Sequence, residues 1–112
     1  MTIEDAINKV IEKYGEDQFS WDFVSPSQSS RYVEELQSEL CETHPLHNCK
    51  MGRTVARSYA KDDFLYESED GKYYFVHLTF QKETSAKWPR YTAASDAGSA
   101  AQYMEEQYLQ SQ

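Results

Sequence analysis

Positive charge is what this chain has least of relative to its opposite. Eleven Lys and Arg stand against nineteen Asp and Glu, a formal net charge of -8. Affinity for a phosphate backbone or an anionic lipid surface rests on Lys and Arg neutralising phosphates, so neither nucleic acid nor membrane is an expected partner. Long apolar runs are missing as well, and none reaches the ~18 residues that a spanning helix needs. The opening Met-Thr-Ile-Glu-Asp has neither the basic region nor the apolar stretch of a secretory leader, which points to a cytoplasmic protein. With two cysteines there is no disulfide framework, and with four glycines there is no phosphate-binding glycine loop.

Aromatic residues offset the low mean hydropathy. Nine Tyr, five Phe and two Trp within 112 residues are material for one core without disulfides or metal, so the chain reads as a single domain over 1–112.

The pattern along the chain is that of an α+β fold. Thr2 caps a first helix in which Ile3, Ala6, Ile7, Val10, Ile11 and Tyr14 recur at helical spacing, and Gly15 stops it. Phe19, Trp21 and Phe23 then alternate with polar residues, as in an edge strand or an extended linker, with Trp21 as a packing anchor. Ser25-Pro26-Ser27-Gln28 starts a second helix, with Ser25 as cap and Gln28 at the capping-box position. Its inward stripe is Tyr32, Val33, Leu36, Leu40 and Cys41, and it ends near Thr43 ahead of Pro45. Extended segments follow at Arg53 to Tyr59, at Phe64 to Glu67 and, after an Asp70-Gly71 turn, at Lys72 to Phe80. Arg90 to Ala93 is the candidate for a fourth strand, and a last helix opens at Ser95 or Asp96. The expected architecture is therefore two N-terminal helices, a three- to four-stranded antiparallel meander and a C-terminal helix.

Lys72 to Phe80 is apolar on both faces and belongs at the centre of the sheet. Helices on one side should cover Tyr74, Val76, Leu78 and Phe80. The other side, with Tyr73, Phe75 and His77, stays partly open unless Trp21, Trp88 or a partner covers it.

Candidate sites follow from these faces. The outer face of the second helix is acidic, and Glu34, Glu35, Glu39 and Glu42 form an expected docking surface for a basic protein. Tyr73, Phe75, His77 and Trp88 form an alternative face for a small ligand or for catalysis. Cys41, His44, His47 and Cys49 use zinc-binding residue types, but their spacing matches no usual paired-ligand knuckle, and no metal or cofactor is expected. Cysteine and histidine pairs such as Cys49 with His47, or Cys41 with His77, lack an orienting third group, so no catalytic residue is assigned. Arg53, Arg57, Lys72 and Arg90 offer a basic rim to stacked single strands, against which the overall charge argues. Oligomeric state leaves no mark on the sequence.

One resemblance adds to this. Asp62-Asp63-Phe64-Leu65-Tyr66-Glu67, then Asp70-Gly71, then Tyr74-Phe75-Val76-His77-Leu78-Thr79-Phe80, Glu83 and Trp88-Pro89 before a last helix resemble a group of small uncharacterised bacterial proteins with a Val-His-Leu-Thr-Trp strand. Phe80 stands where that group has Trp. The group has no assigned activity, and several of its like look like toxin-immunity or stand-alone accessory proteins. The resemblance covers about the C-terminal half of the chain, and no functional residues are carried over from it.

Overall fold

In a computed structural model, which describes residues 2–17, 19–58 and 61–110, the chain is α+β with one five-stranded antiparallel sheet and three helices. The order is α1 (Ile3–Tyr14), β1 (Trp21–Phe23), α2 (Pro26–Glu39), β2 (Met51–Ser58), β3 (Asp63–Ser68), β4 (Tyr73–His77), β5 (Tyr91–Ala94) and α3 (Ala97–Gln110). Strands lie side by side in chain order. Two expected positions, Gln18 and Tyr59, fall outside the described residues.

The meander is thus longer than expected. Trp21 to Phe23 is a true edge strand, pairing with Ser58 to Ala56 of β2. Its partner lies more than thirty residues on, beyond α2, so no hairpin turn announces it. At the β3–β4 turn, Ser68 N–H donates to Lys72 O and Gly71 takes a φ of +87°. The loop is therefore three residues, Glu69 to Gly71, with glycine in the left-handed position, rather than a two-residue Asp-Gly turn. That single extra residue sets the register, and with it every cross-strand pair of β3 and β4.

The helix starts divide. Asp5 N–H donates to Thr2 Oγ1, and Gly15, at a φ of +90°, ends α1. Ser25, by contrast, makes no side-chain cap bond; its hydroxyl meets that of Ser27, and Pro26 at the first helical position does the starting. The second helix stops at Glu39 instead of near Thr43, because Leu40 is already extended.

Helices cover both faces of the sheet, which corrects the expectation of a one-sided cover. On one face, α1 and α3 bury Ile3, Ile7, Val10, Ala100 and Met104 against Leu65, Tyr73 and Phe75. On the other, α2 lays Leu36 and the following Leu40 and Leu46 over Phe64, Tyr66, Val76 and Leu78. Each large side chain fully buried in this way contributes roughly 1.5–3 kcal/mol. A bulge in β2 between Thr54 and Ala56 turns Val55 and Ala56 together into the α1–α3 core. Thr54 on the α2 side trades hydrogen bonds with Ser29, whose hydroxyl accepts from Thr54 N–H at 2.7 Å while Thr54 Oγ1 donates to Ser29 O at 2.9 Å. That exchange ties α2 to the sheet where apolar contact runs out.

Candidate functional site

Two regions gather the chemistry, one on each face. The first is a cleft of about 850 Å³ at the end of the sheet beneath α3. Strand pairing builds its floor: Trp21 opposes Ser58, Ser58 opposes Asp63, Asp63 opposes His77, and His77 N–H donates to Arg90 O. One row of residues therefore crosses four strands and reaches Arg90, just ahead of β5. Residues opposed in an antiparallel ladder share a face, so these side chains rise on the α1–α3 side.

Apolar walls stand beside that row. The Trp21 and Phe75 rings meet edge to face at 5.8 Å, and Tyr103 of α3 lies 4.5 Å from Phe75. His77 Nδ1 is 2.8 Å from Asp63 Oδ1, both side chains being partly exposed. A carboxylate only accepts, so Nδ1 carries the proton and Nε2 has no hydrogen-bond partner among the described residues. Lys61 and Arg90 also line the cleft, and neither forms an ion pair with any described residue.

Of the four residues expected on this face, the structure brings together two. Phe75 and His77 line the cleft. Tyr73 is buried at the opposite end of β4, where its hydroxyl donates to Glu67 Oε2 and burial, then Glu67, pushes the phenol up to about 12. Trp88 stands outside the cleft with the Arg90 guanidinium stacked 5.1 Å from its ring. Of the covers expected for this side, Trp21 is the one that packs on Phe75, joined by Tyr103 of α3, while Tyr73 is buried in the α1–α3 core. Asp63 and Lys61 are the members that sequence reading missed. Asp63 was legible only through the hairpin register, which the three-residue loop determines.

The second region lies across the sheet, where α2 ends. Glu39 does not belong to the acidic surface: it is fully buried, at 0% exposure. Its Oε1 accepts from Thr79 N–H at 2.8 Å and from Thr79 Oγ1 at 2.9 Å, and its Oε2 accepts from Phe80 N–H at 2.9 Å. Burial and the neighbouring Glu35 carboxyl raise its pKa, and the bonds from Thr79 and Phe80 oppose that rise without cancelling it. The helix turns Glu39 inward because it sits three residues after Leu36, on the buried stripe.

What Glu39 holds is unusual. Phe80 has a φ of +57°, the left-handed region that disfavours a residue with a side chain, and its ring is 51% exposed. It edges against Phe64 at 6.2 Å and borders a shallow groove of about 380 Å³ with Tyr32, Glu34, Glu35, Ser38 and Arg31. Glu34 is exposed, Glu35 half-buried, and Glu42 exposed beyond the helix end and outside the groove.

The cysteine and histidine segment is structural in its contacts. Leu46 N–H donates to His44 Nδ1 at 3.0 Å, so Nε2 carries the proton and donates to Pro89 O at 2.8 Å. That buried imidazole staples the loop after α2 to the segment before β5. Cys41 Sγ pairs with Thr43 Oγ1, while His47 is exposed. Among the described residues no three His, Cys, Asp or Glu side chains are grouped to hold a metal ion, and no described helix is long and apolar enough to cross a membrane.

No family model, curated protein or solved structure matches this chain.

Proposed function

We propose that this chain is a non-enzymatic protein-binding factor that docks a basic partner through the end of α2, with Phe80 as the anchor. The observation that carries the reading is the way Phe80 is presented. A left-handed backbone at a residue with a side chain costs roughly 1–3 kcal/mol, and persists where the surroundings over-determine it. Here a buried carboxylate is spent on doing so, and the result is an aromatic ring held out in solvent. Rigid, exposed aromatic rings ringed by polar groups are what protein interfaces use as hot spots.

Charge supports the nature of the partner. Glu34 and Glu35 flank the ring, Glu42 lies beyond them, and the chain as a whole is at -8, so a Lys- or Arg-bearing surface would be both steered to the face and held there. Arg31, which also lines the groove, opposes this locally. The segment around Val76 to Phe80 resembles a group of small bacterial proteins without an assigned activity, several of whose like look like immunity or accessory proteins, and this is in keeping with such a role in the cytoplasm.

The test is capture from a bacterial lysate at about 50 mM and about 500 mM salt, conditions that lengthen and shorten electrostatic reach. Wild-type protein should retain a basic protein at low salt and release it at high salt. Phe80→Ala should lose it at both, and Glu34→Gln with Glu35→Gln should weaken it at low salt only. Equal capture by wild type and Phe80→Ala would remove the anchor from this account.

A further inference from the structure

We infer that the cleft at the end of the sheet is a binding site for a small amphipathic anion, an aromatic or apolar body bearing one sulfonate, carboxylate or phosphate. The walls select the body. Trp21, Phe75 and Tyr103 form a continuous aromatic surface, and about 850 Å³ lies within the size range of small-molecule sites, roughly 300–1,000 Å³.

The charged groups select the sign. In a chain with nineteen acids and eleven Lys and Arg, the lining holds Lys61 and Arg90 against a single acid, Asp63. Elsewhere Lys13 pairs with Glu105, and Arg53 pairs with both Glu4 and Glu67. Lys61 and Arg90 have no such partner among the described residues, whereas Asp63 is already engaged by His77. Two cations with no carboxylate partner, Arg90 also resting against the Trp88 ring outside the cleft, therefore line an aromatic recess whose one carboxylate is hydrogen-bonded by His77. An anion meets the guanidinium and ammonium while its apolar body covers the rings. This site lies on the opposite face from Phe80 and does not rest on the docking reading.

Two fluorescent probes of matched shape test it: anilinonaphthalene sulfonate, which is anionic, and phenylnaphthylamine, which is neutral. Titrated into the full chain, the sulfonate should bind saturably at one per chain, with shifts in the Trp21 indole and His77 imidazole NMR signals. The double variant Lys61→Gln, Arg90→Gln, both exposed positions, should weaken the sulfonate about tenfold, as expected on losing one to two charge-assisted hydrogen bonds, and leave the neutral probe unchanged. Thr92→Trp, at the exposed rim of the cleft, should exclude both, with Gln107→Trp as the alternative should that variant fail to fold. Absence of saturable sulfonate binding, or binding that the charge variant leaves untouched, would overturn the inference. So would signals that shift around Phe80 instead of Trp21.

Discussion

The two faces of the sheet solve the same problem with different means. On one, two helices close over Leu65, Tyr73 and Phe75 with side chains that are almost wholly apolar. On the other, a single helix covers Phe64, Tyr66, Val76 and Leu78, and where it ends the burial is completed by polar groups, with Ser29 bonded to Thr54 and Glu39 bonded to Thr79 and Phe80. The difference teaches where each face can be specific. The two-helix face leaves its opening at a sheet end, between elements, and so makes a recess. The one-helix face closes with a carboxylate that points at backbone N–H groups, and so fixes a loop and projects a ring.

The largest effect should come from emptying the apolar face. Phe75→Ala removes a ring packed between Trp21 and Tyr103 and should cost about 4 kcal/mol by transfer and cavity terms. Urea unfolding measures it, and a loss near 1 kcal/mol would mean that this core is far looser than its packing. Next comes the polar closure. Glu39→Ala strands the N–H groups of Thr79 and Phe80 and should cost about 3 kcal/mol.

The same carboxyl sharpens the comparison through pH. Because Glu39 has a raised pKa when folded, the native state holds its proton more tightly than the unfolded chain does. That contribution favours the fold at low pH and is lost as the pH rises from the ordinary 4.5 through the raised value. Glu39→Gln should remove this decline from a series of melts above pH 4.5, and an unaltered profile would place the titration elsewhere. The ion-pair cluster at the other end of the sheet has the opposite sign. Arg53 holds the Glu4 carboxyl down; burial pushes Glu67 up, but Arg53 and Tyr73 together bring it below the ordinary value. Their stabilisation is present above pH 4.5 and fades as the pH falls through the lowered values. These groups are partly exposed and screened by solvent, so Arg53→Gln should cost only about 1 kcal/mol at neutral pH and flatten the acid limb.

Phe80 should give the smallest change in stability and the largest in binding. Its ring is half-exposed, so Phe80→Ala should fall within about 0.5 kcal/mol of wild type. Phe80→Gly, relieved of the left-handed penalty, should be more stable than Phe80→Ala by up to about 1 kcal/mol in the same urea titration. Should alanine prove the more stable, the strain assigned to this residue would be absent.

Much of this was open to reading from residue order. The first helix, from its Thr2 cap to Gly15, and the last helix after Asp96 follow from local spacing and caps, because a helix closes its hydrogen bonds within a few residues. The β2–β3–β4 meander follows in the same way from alternation and turns. Most of the candidate site did not. Glu39 looks like Glu34 and Glu35 in a helix whose polar residues outnumber its apolar ones, and only the loop that descends onto it from β4 makes it a buried clamp. His77 was visible as a histidine within a strand, while its partner Asp63 depended on one residue in the turn.

What the sequence by itself determined is therefore the local grammar: an α+β chain, acidic, with its helices and three central strands in place. Tertiary structure alone decided that β1 joins the sheet edge, that helices lie on both faces, that Trp21 roofs Phe75, and which carboxylates are surface and which are structure. The reason is range. Periodicity and caps act over a few residues, whereas burial of Glu39, the pairing of Asp63 with His77 and the meeting of Trp21 with Phe75 join positions 14 to 54 residues apart, where only the packed chain brings them together.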